Sequence, residues 1–238
     1  TSGRDFSRKG IKVIGVPKTI DNDAPGTDKA IGFATAVGVV TNALDNLTTT
    51  ATSHNRIMIA EVMGRGAGHL ALEAGVAGFA DVILIPEVKY SYENVVAKLK
   101  EIQKKGKRFG LVVIAEGVKT PDGKHIFAAN GKTFQGVSQY FVEHLQEEGF
   151  NVRANVLGHI QRAGVPVPSD RLLAARFATR AVDLIEGGAD NRVVVYQEGR
   201  VTDMDLNQVL KIANTPVDPK GSLVRTARAL GIYVGEAD

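Results

Sequence analysis

Apolar and polar positions follow two periods along this chain. Short runs rich in Val, Ile and Leu end in turn residues at "IKVIGVP" (11–17), "RIMIAEV" (56–62), "DVILIPEV" (81–88), "FGLVVIAEG" (109–117) and "NRVVVYQEG" (191–199), and each predicts a buried strand. Between them the period lengthens. Phe33, Val37, Val40, Leu44 and Leu47 recur at steps of four, three, four and three, which lays one apolar stripe along a helix. Segments 91–105, 134–148 and 169–186 also predict helices, the last opened by Pro168, Ser169 and Asp170. Strands separated by helices require crossovers, so the pattern predicts an α/β fold, a mostly parallel sheet with helices on both faces. No internal repeat or low-complexity tract interrupts it, and the longest irregular stretch is 117–133.

Composition narrows the class. At 238 residues, 44% hydrophobic and 23% charged, the chain has the material for one large or two small cores. A net charge of +3 is too small to imply nucleic acid, and the one dense basic run, "KKGKR" (104–108), reads either as an anion site or as a solvated helix end. The absence of cysteine excludes disulfides and thiolate metal sites. No run is long enough to span a bilayer and no signal-peptide pattern opens the chain, so the expected location is the cytoplasm.

In open parallel sheets ligands bind where loops leave the carboxyl ends of strands. Ionisable or glycine-rich clusters fall at four such exits. Lys18, Thr19, Asp21 and Asp23 follow the first strand, and "MGRGAGH" (63–69) follows the second. Glu116 closes the fourth, and "VRANVLGHIQRAG" (152–164) leads from a further strand to the next helix. Each cluster has a plain structural reading. Asp21 and Asp23 could cap a helix beginning near Asp28, "GRGAG" could be close helix–strand packing or a phosphate-binding turn, and His159 could be a core histidine. Arg153, His159 and Arg162 on one connection suit a phosphate monoester, because guanidinium forks match its oxygens; Arg56 and Arg65 are further candidates.

The stretches "PKTIDNDAPGTDKAIGFATAV", "SHNRIMIAEVMGRGAGHLAL", "DVILIPE", "VVIAEG" and "VLGHIQRAGVPVPSDRLLA" resemble, in order, motifs of the 6-phosphofructokinase family. The resemblance covers nearly all of residues 10–190 and implies a three-layer, two-domain architecture with mostly parallel sheets. It implies transfer of a phosphoryl group to the 1-hydroxyl of fructose 6-phosphate, with Mg2+ as cofactor and ATP or pyrophosphate as donor. Carried over motif by motif, Asp21 would be the general base and Thr19 would contact the sugar or the transferring group. Asp23 would support the magnesium shell or hold the loop. Met63, Gly64, Arg65 and Glu116 would line the sugar pocket. Arg153, His159, Gln161 and Arg162 would hold the 6-phosphate end. Residues matching Arg56 and Arg153 reach in from a neighbouring subunit, so a homo-oligomer, dimer or tetramer, is implied. No direct metal ligand is assigned.

Lys18 occurs in pyrophosphate-using members and in one group of ATP-using ones, and "LTTTATSHNR" with the long 117–133 loop resembles the latter, which favours ATP. Asp81, Lys107 and Arg108 fall near the family's effector motif, whereas Thr48 stands where some bacterial members carry an effector-binding arginine. Ala163 replaces a common glycine. The family's "GGDG"-type donor loop has no counterpart in these residues, so the resemblance predicts an N-terminally incomplete chain, inactive or nearly so by itself. Residues 33–160 would form the sugar-phosphate-binding domain, and 1–32 with 161–238 the remnant of the donor domain. Two alternatives differ in class: a noncatalytic phosphosugar-binding or regulatory fragment, and a dinucleotide-binding oxidoreductase in which "GRGAG" and Glu87 would form the cofactor fingerprint.

Overall fold

The computed structural model describes residues 2–126 and 136–236. In chain order the elements are α1 (Ser2–Ser7), β1 (Ile14–Gly15), β2 (Lys18–Thr19), β3 (Ile31–Gly32), α2 (Phe33–His54), β4 (Ile57–Val62), α3 (His69–Ala77), β5 (Val82–Leu84) and α4 (Tyr92–Lys104). Next come β6 (Gly110–Ala115), α5 (Val137–Glu147), β7 (Val152–Val156), a 3-10 turn (Gly158–Arg162), α6 (Pro168–Glu186), β8 (Arg192–Gln197), β9 (Arg200–Asp205), α7 (Leu206–Val209) and α8 (Ser222–Ala229). The chain is α/β with mostly parallel strands, and antiparallel pairing occurs between β8 and β9.

The chain divides into two compact units, one of residues 1–35 with 165–215, the other of 36–164 with 216–238. The C-terminal portion therefore departs from the expected grouping of 161–238. Its physical tie is to the second unit: Val217 N–H donates to Glu87 (3.0 Å), and Tyr233 exchanges backbone hydrogen bonds with the start of β5.

The second unit is built on four parallel strands in the order β5-β6-β4-β7. Every residue of β4 and β6 is buried, as expected for central parallel strands covered on both faces, and their continuous apolar runs follow from that. β5 stops at Leu84, short of the expected 88, because Pro86 has no N–H to give a ladder and Val88 N–H turns back to Ile85. Helix α2 buries Phe33, Ala36, Val40, Leu44 and Ala51, while Leu47 is only half-buried. The expected stripe holds at Phe33, Val40 and Leu44, while Val37, like Leu47, is only partly buried. Helix α5 starts at Val137; residues 134–135 of the expected helix, and 127–133 of the expected irregular stretch, lie outside the described residues.

The first unit is thinner. β1 holds two residues where 11–17 were expected, and among the described residues its ladder partner is β8 alone. β9, unpredicted by periodicity, is a hairpin partner of β8 whose sequence "RVTDMD" is too polar to read as a buried strand. A small core of Leu173, Phe177, Leu184 and Val194 lies between α6 and this sheet. Charged groups complete it: Asp203, 8% exposed at its side chain, accepts from Arg180 (2.5 Å) and Arg192 (2.6 Å). Burial alone would raise its pKa. The two guanidiniums outweigh that and hold the carboxyl below its ordinary value.

Candidate active site

Three adjacent strand exits of the second unit carry most of the candidates. β6 and β4 end side by side, with Val62 opposite Ala115, and β7 flanks β4 on the other edge. Met63, Gly64 and Arg65 leave β4, Glu116 leaves β6, and the 3-10 turn with His159, Gln161 and Arg162 follows β7. The parallel sheet brings these together because every strand points the same way.

The turn after β4 is tightly determined. Gly64 has φ +143°, and a Cβ there would sit 2.4 Å from the Ala67 carbonyl oxygen. Arg65 occupies the left-handed region at φ +52°, a conformation costly for a side-chain-bearing residue unless the surroundings impose it. They do: its N–H donates to Glu116 Oε1 at 2.9 Å, and Gly117 lies so close that a Cβ would meet the Arg65 carbonyl oxygen at 2.0 Å. The exposed Arg65 side chain and the half-buried Glu116 carboxylate are thereby fixed on neighbouring exits.

The backbone N–H groups of this turn are largely spent inside the protein. Met63 donates to Gln161 Oε1 (3.1 Å), Ala67 to the Gly64 carbonyl (2.9 Å), and Gly68 to Glu87 Oε1 (2.8 Å). Of the two readings of "GRGAG", close packing is therefore the one realised. Glu87 Oε1 accepts from both the Gly68 and the Val217 N–H groups, which ties this turn to the segment after residue 215.

Gln161 braces the 3-10 turn. It is 1% exposed; its Oε1 accepts from Met63 N–H and its Nε2 donates to the Gly158 carbonyl (2.9 Å). Through these two bonds it positions the turn that carries exposed His159 and Arg162. Arg153 stands apart from this turn. It is the second residue of β7, opposite Met58, with a guanidinium N–H donating to the Val152 carbonyl (2.7 Å). It sits near the start of the strand, whereas His159 and Arg162 follow its end. Arg56 precedes β4 at the same end of the sheet as Arg153. From Arg56 to Met63 the extended chain covers roughly 20 Å at about 3.3 Å per residue. One chain therefore presents Arg56 and Arg153 at one end of the sheet and Arg65, Glu116, His159 and Arg162 at the other.

The acidic turn lies in the first unit. Lys18 and Thr19 form β2, paired with β3, and Thr19 Oγ1 accepts from Asp21 N–H (3.1 Å). Asn22, at φ +53°, accepts from Ala30 N–H (3.0 Å) and donates to the Asp28 carbonyl (3.1 Å), which closes the loop. Asp23 accepts from Asn214 Nδ2 (2.7 Å), and its carbonyl from Thr215 N–H (3.0 Å). Helix α2 begins at Phe33, not near Asp28, so neither Asp21 nor Asp23 caps it. The cap comes from α6: the Asp170 carboxylate, 3% exposed, accepts from Gly32 N–H (3.0 Å), Thr35 N–H (2.8 Å) and Thr35 Oγ1 (2.5 Å). Asp28 instead accepts from Glu198 N–H (3.0 Å).

Buried acids carry structural work that the motif reading missed. Glu61, 2% exposed near the carboxyl end of β4, accepts from Gly136 N–H, Ser138 N–H and Ser138 Oγ at 3.0, 2.9 and 2.6 Å and so serves the N-terminus of α5. A lone acid inside the apolar run "RIMIAEV" was the available signal. The run "KKGKR" divides: Lys105 pairs with Glu101, while Lys107 makes contacts of 2.6 and 2.7 Å with the Asp81 carboxylate. Asp81 also accepts from Leu111 N–H (2.9 Å), so two of the three residues expected at an effector site engage each other, and Arg108 is exposed. Thr48 spends its hydroxyl on the Leu44 carbonyl (2.9 Å).

Among the described residues, no group of three or more His, Asp or Glu side chains converges as a metal cage. No described helix is long and apolar enough to cross a membrane.

The Phosphofructokinase family profile matches residues 1–185. The chain is 45% identical over 230 residues to ATP-dependent 6-phosphofructokinase 1 of Nostoc sp., covering 95% of this chain and 64% of that one. It is 44% identical over 240 residues to ATP-dependent 6-phosphofructokinase 2 of Clostridium perfringens, covering 98% and 65%. Among solved structures, the pyrophosphate-dependent phosphofructokinase of Nitrosospira multiformis superposes with a TM-score of 0.79 at 25% identity, covering 98% of this chain and 64% of that one. The phosphofructokinase of Saccharomyces cerevisiae gives 0.74 at 30% identity, covering 83% and 26%. The chain belongs to the phosphofructokinase family. It spans a little under two-thirds of the length of these curated relatives.

Proposed function

We propose that the protein transfers a phosphoryl group to the 1-hydroxyl of fructose 6-phosphate, giving fructose 1,6-bisphosphate. The observation that carries this reading is the fixing of Arg65 and Glu116 on adjacent strand exits by a strained, carboxylate-tethered turn, in a family member. Phosphoryl transfer asks little covalent work of the protein; it asks for positioning and for charge stabilisation. Glu116 accepts a hydrogen bond from a sugar hydroxyl, Met63 and Gly64 shape the pocket, Arg65 and Arg162 offer positive charge to the acceptor, and His159 offers a hydrogen bond. Asp21 takes the proton from the 1-hydroxyl as the attack proceeds, helped by Thr19 and Lys18 in the same turn.

Asp23 holds the loop through Asn214, and its carboxylate would support the shell of a magnesium ion carried on donor phosphates. When bound, the ion neutralises charge on the transferring group. The ATP-dependent relatives at 44–45% identity favour ATP over pyrophosphate. Because Arg56 and Arg153 stand at the opposite end of their own sheet, they serve a second copy of the chain, and the working form is an oligomer.

The test combines calorimetry of fructose 6-phosphate binding with a coupled assay supplied with ATP or pyrophosphate. Asp21→Asn is expected to lower kcat about 10^2–10^4-fold while leaving sugar binding nearly intact. Turnover unaffected by Asp21→Asn removes the base assignment. Binding of the sugar phosphate without turnover by either donor favours the noncatalytic reading of these 238 residues.

A further inference from the structure

The second unit contains a cavity of about 400 Å3 lined by Lys89, Lys220, Arg225 and Arg228 together with Glu87 and Glu236. None of these residues belongs to the proposed transfer site. The volume suits a small molecule. Among the described residues, none of the four cations pairs with a carboxylate. Four like charges held in one concavity repel one another, and two acids only partly offset them.

The arginines are pre-set. Arg225 donates to the Lys220 carbonyl (2.6 Å), and Arg228 to the carbonyls of Val234 (3.3 Å) and Glu236 (2.8 Å). Each is anchored through one terminal nitrogen, which orders the side chain and leaves the rest of the fork for an anion. Glu87 adds an independent observation. Its Oε1 is doubly used by Gly68 and Val217, but its Oε2 is buried without a hydrogen-bond partner. A buried carboxylate oxygen left unpaired costs free energy that a donor would recover. The cations call for phosphate, and the acid calls for a hydroxyl on the same small molecule.

We infer that this cavity is a second binding site, for a phosphorylated, hydroxyl-bearing small molecule of the sugar-phosphate or mononucleotide class. The phosphate sits on Arg225, Arg228, Lys89 and Lys220, and a ligand hydroxyl donates toward Glu87. The site lies wholly within one unit and stands independently of the transfer reaction.

The test is residue-resolved amide NMR of the chain titrated separately with AMP, fructose 6-phosphate and pyrophosphate. AMP, fructose 6-phosphate or both are expected to shift amides at 87–89 and 220–228 saturably. Lys220→Ala with Arg225→Ala, both at exposed positions, should weaken that response about tenfold or more. Fructose 6-phosphate shifts at 158–162 should survive the same changes, which separates this site from the acceptor site. Absence of a saturable response at 220–228 with both hydroxyl-bearing probes overturns the inference. So does a response unchanged in the double variant, or one elicited by pyrophosphate alone.

Discussion

The two units are built from similar apolar runs, yet they are held together differently. In the second, β4 and β6 are buried along their whole length, and the sheet is closed by side chains such as Leu99, Phe141 and Leu145 that water does not reach. In the first, β1 and β9 are only partly buried, and the loop from 19 to 30 is tied by polar stitches. Asn22, Thr27, Asp28 and Gln197 all bond backbone groups across it. The lesson is a division of labour. Arg65 and Glu116 rest on a dry, close-packed frame, whereas Asp21 rests on a loop held by hydrogen bonds among partly exposed groups.

The sharpest way to break this contrast is to open the first unit's small core. Phe177, fully buried, fills it, and Phe177→Ala should cost about 3–5 kcal/mol through lost burial and a residual cavity. Denaturation followed by probes in each unit should show residues 165–215 unfolding first. Simultaneous, unaltered loss of both units would mean that the polar stitches, not this core, carry the first unit.

Acid offers an intermediate test. The Asp203 carboxyl is held below its ordinary value in the folded protein, so its contribution is present above the unfolded pKa of about 4 and is lost as pH falls through the folded value. The first unit should therefore weaken below about pH 4. Asp203→Asn should lower stability at neutral pH by about 1–3 kcal/mol and flatten that part of the acid dependence. An acid profile identical in the variant would remove Asp203 from the account.

The smallest expected effect on stability separates fold from function within the second unit. Arg153 is exposed near the start of β7, so Arg153→Ala should change stability by no more than about 0.5 kcal/mol. Sugar-phosphate turnover should nonetheless fall, and mixing this variant with an Arg65→Ala variant should restore part of the activity if Arg153 serves a second copy. Activity equal to the unsubstituted protein would confine the site to a single chain.

Much of this was visible before any coordinates. Strands at 57–62, 110–115 and 192–197 and the helix at 168–186 are legible because a long apolar period leaves few alternatives to burial. β9 was not, since an edge hairpin strand carries polar residues that look like loop. Asp170 read as a helix-start signal for its own helix, and only the fold shows its carboxylate capping another one. Gln161 sat inside the most specific motif and read as a ligand contact, because sequence cannot reveal which way a buried amide points.

The sequence by itself determined the α/β alternation, the family and the set of polar residues at strand exits, because these follow from local periodicity and from motif order. Tertiary structure decided which of those residues share an end of the sheet. Strand direction and register are set by long-range pairing, and that pairing places Arg65 and Glu116 together while holding Arg56 and Arg153 a strand's length away.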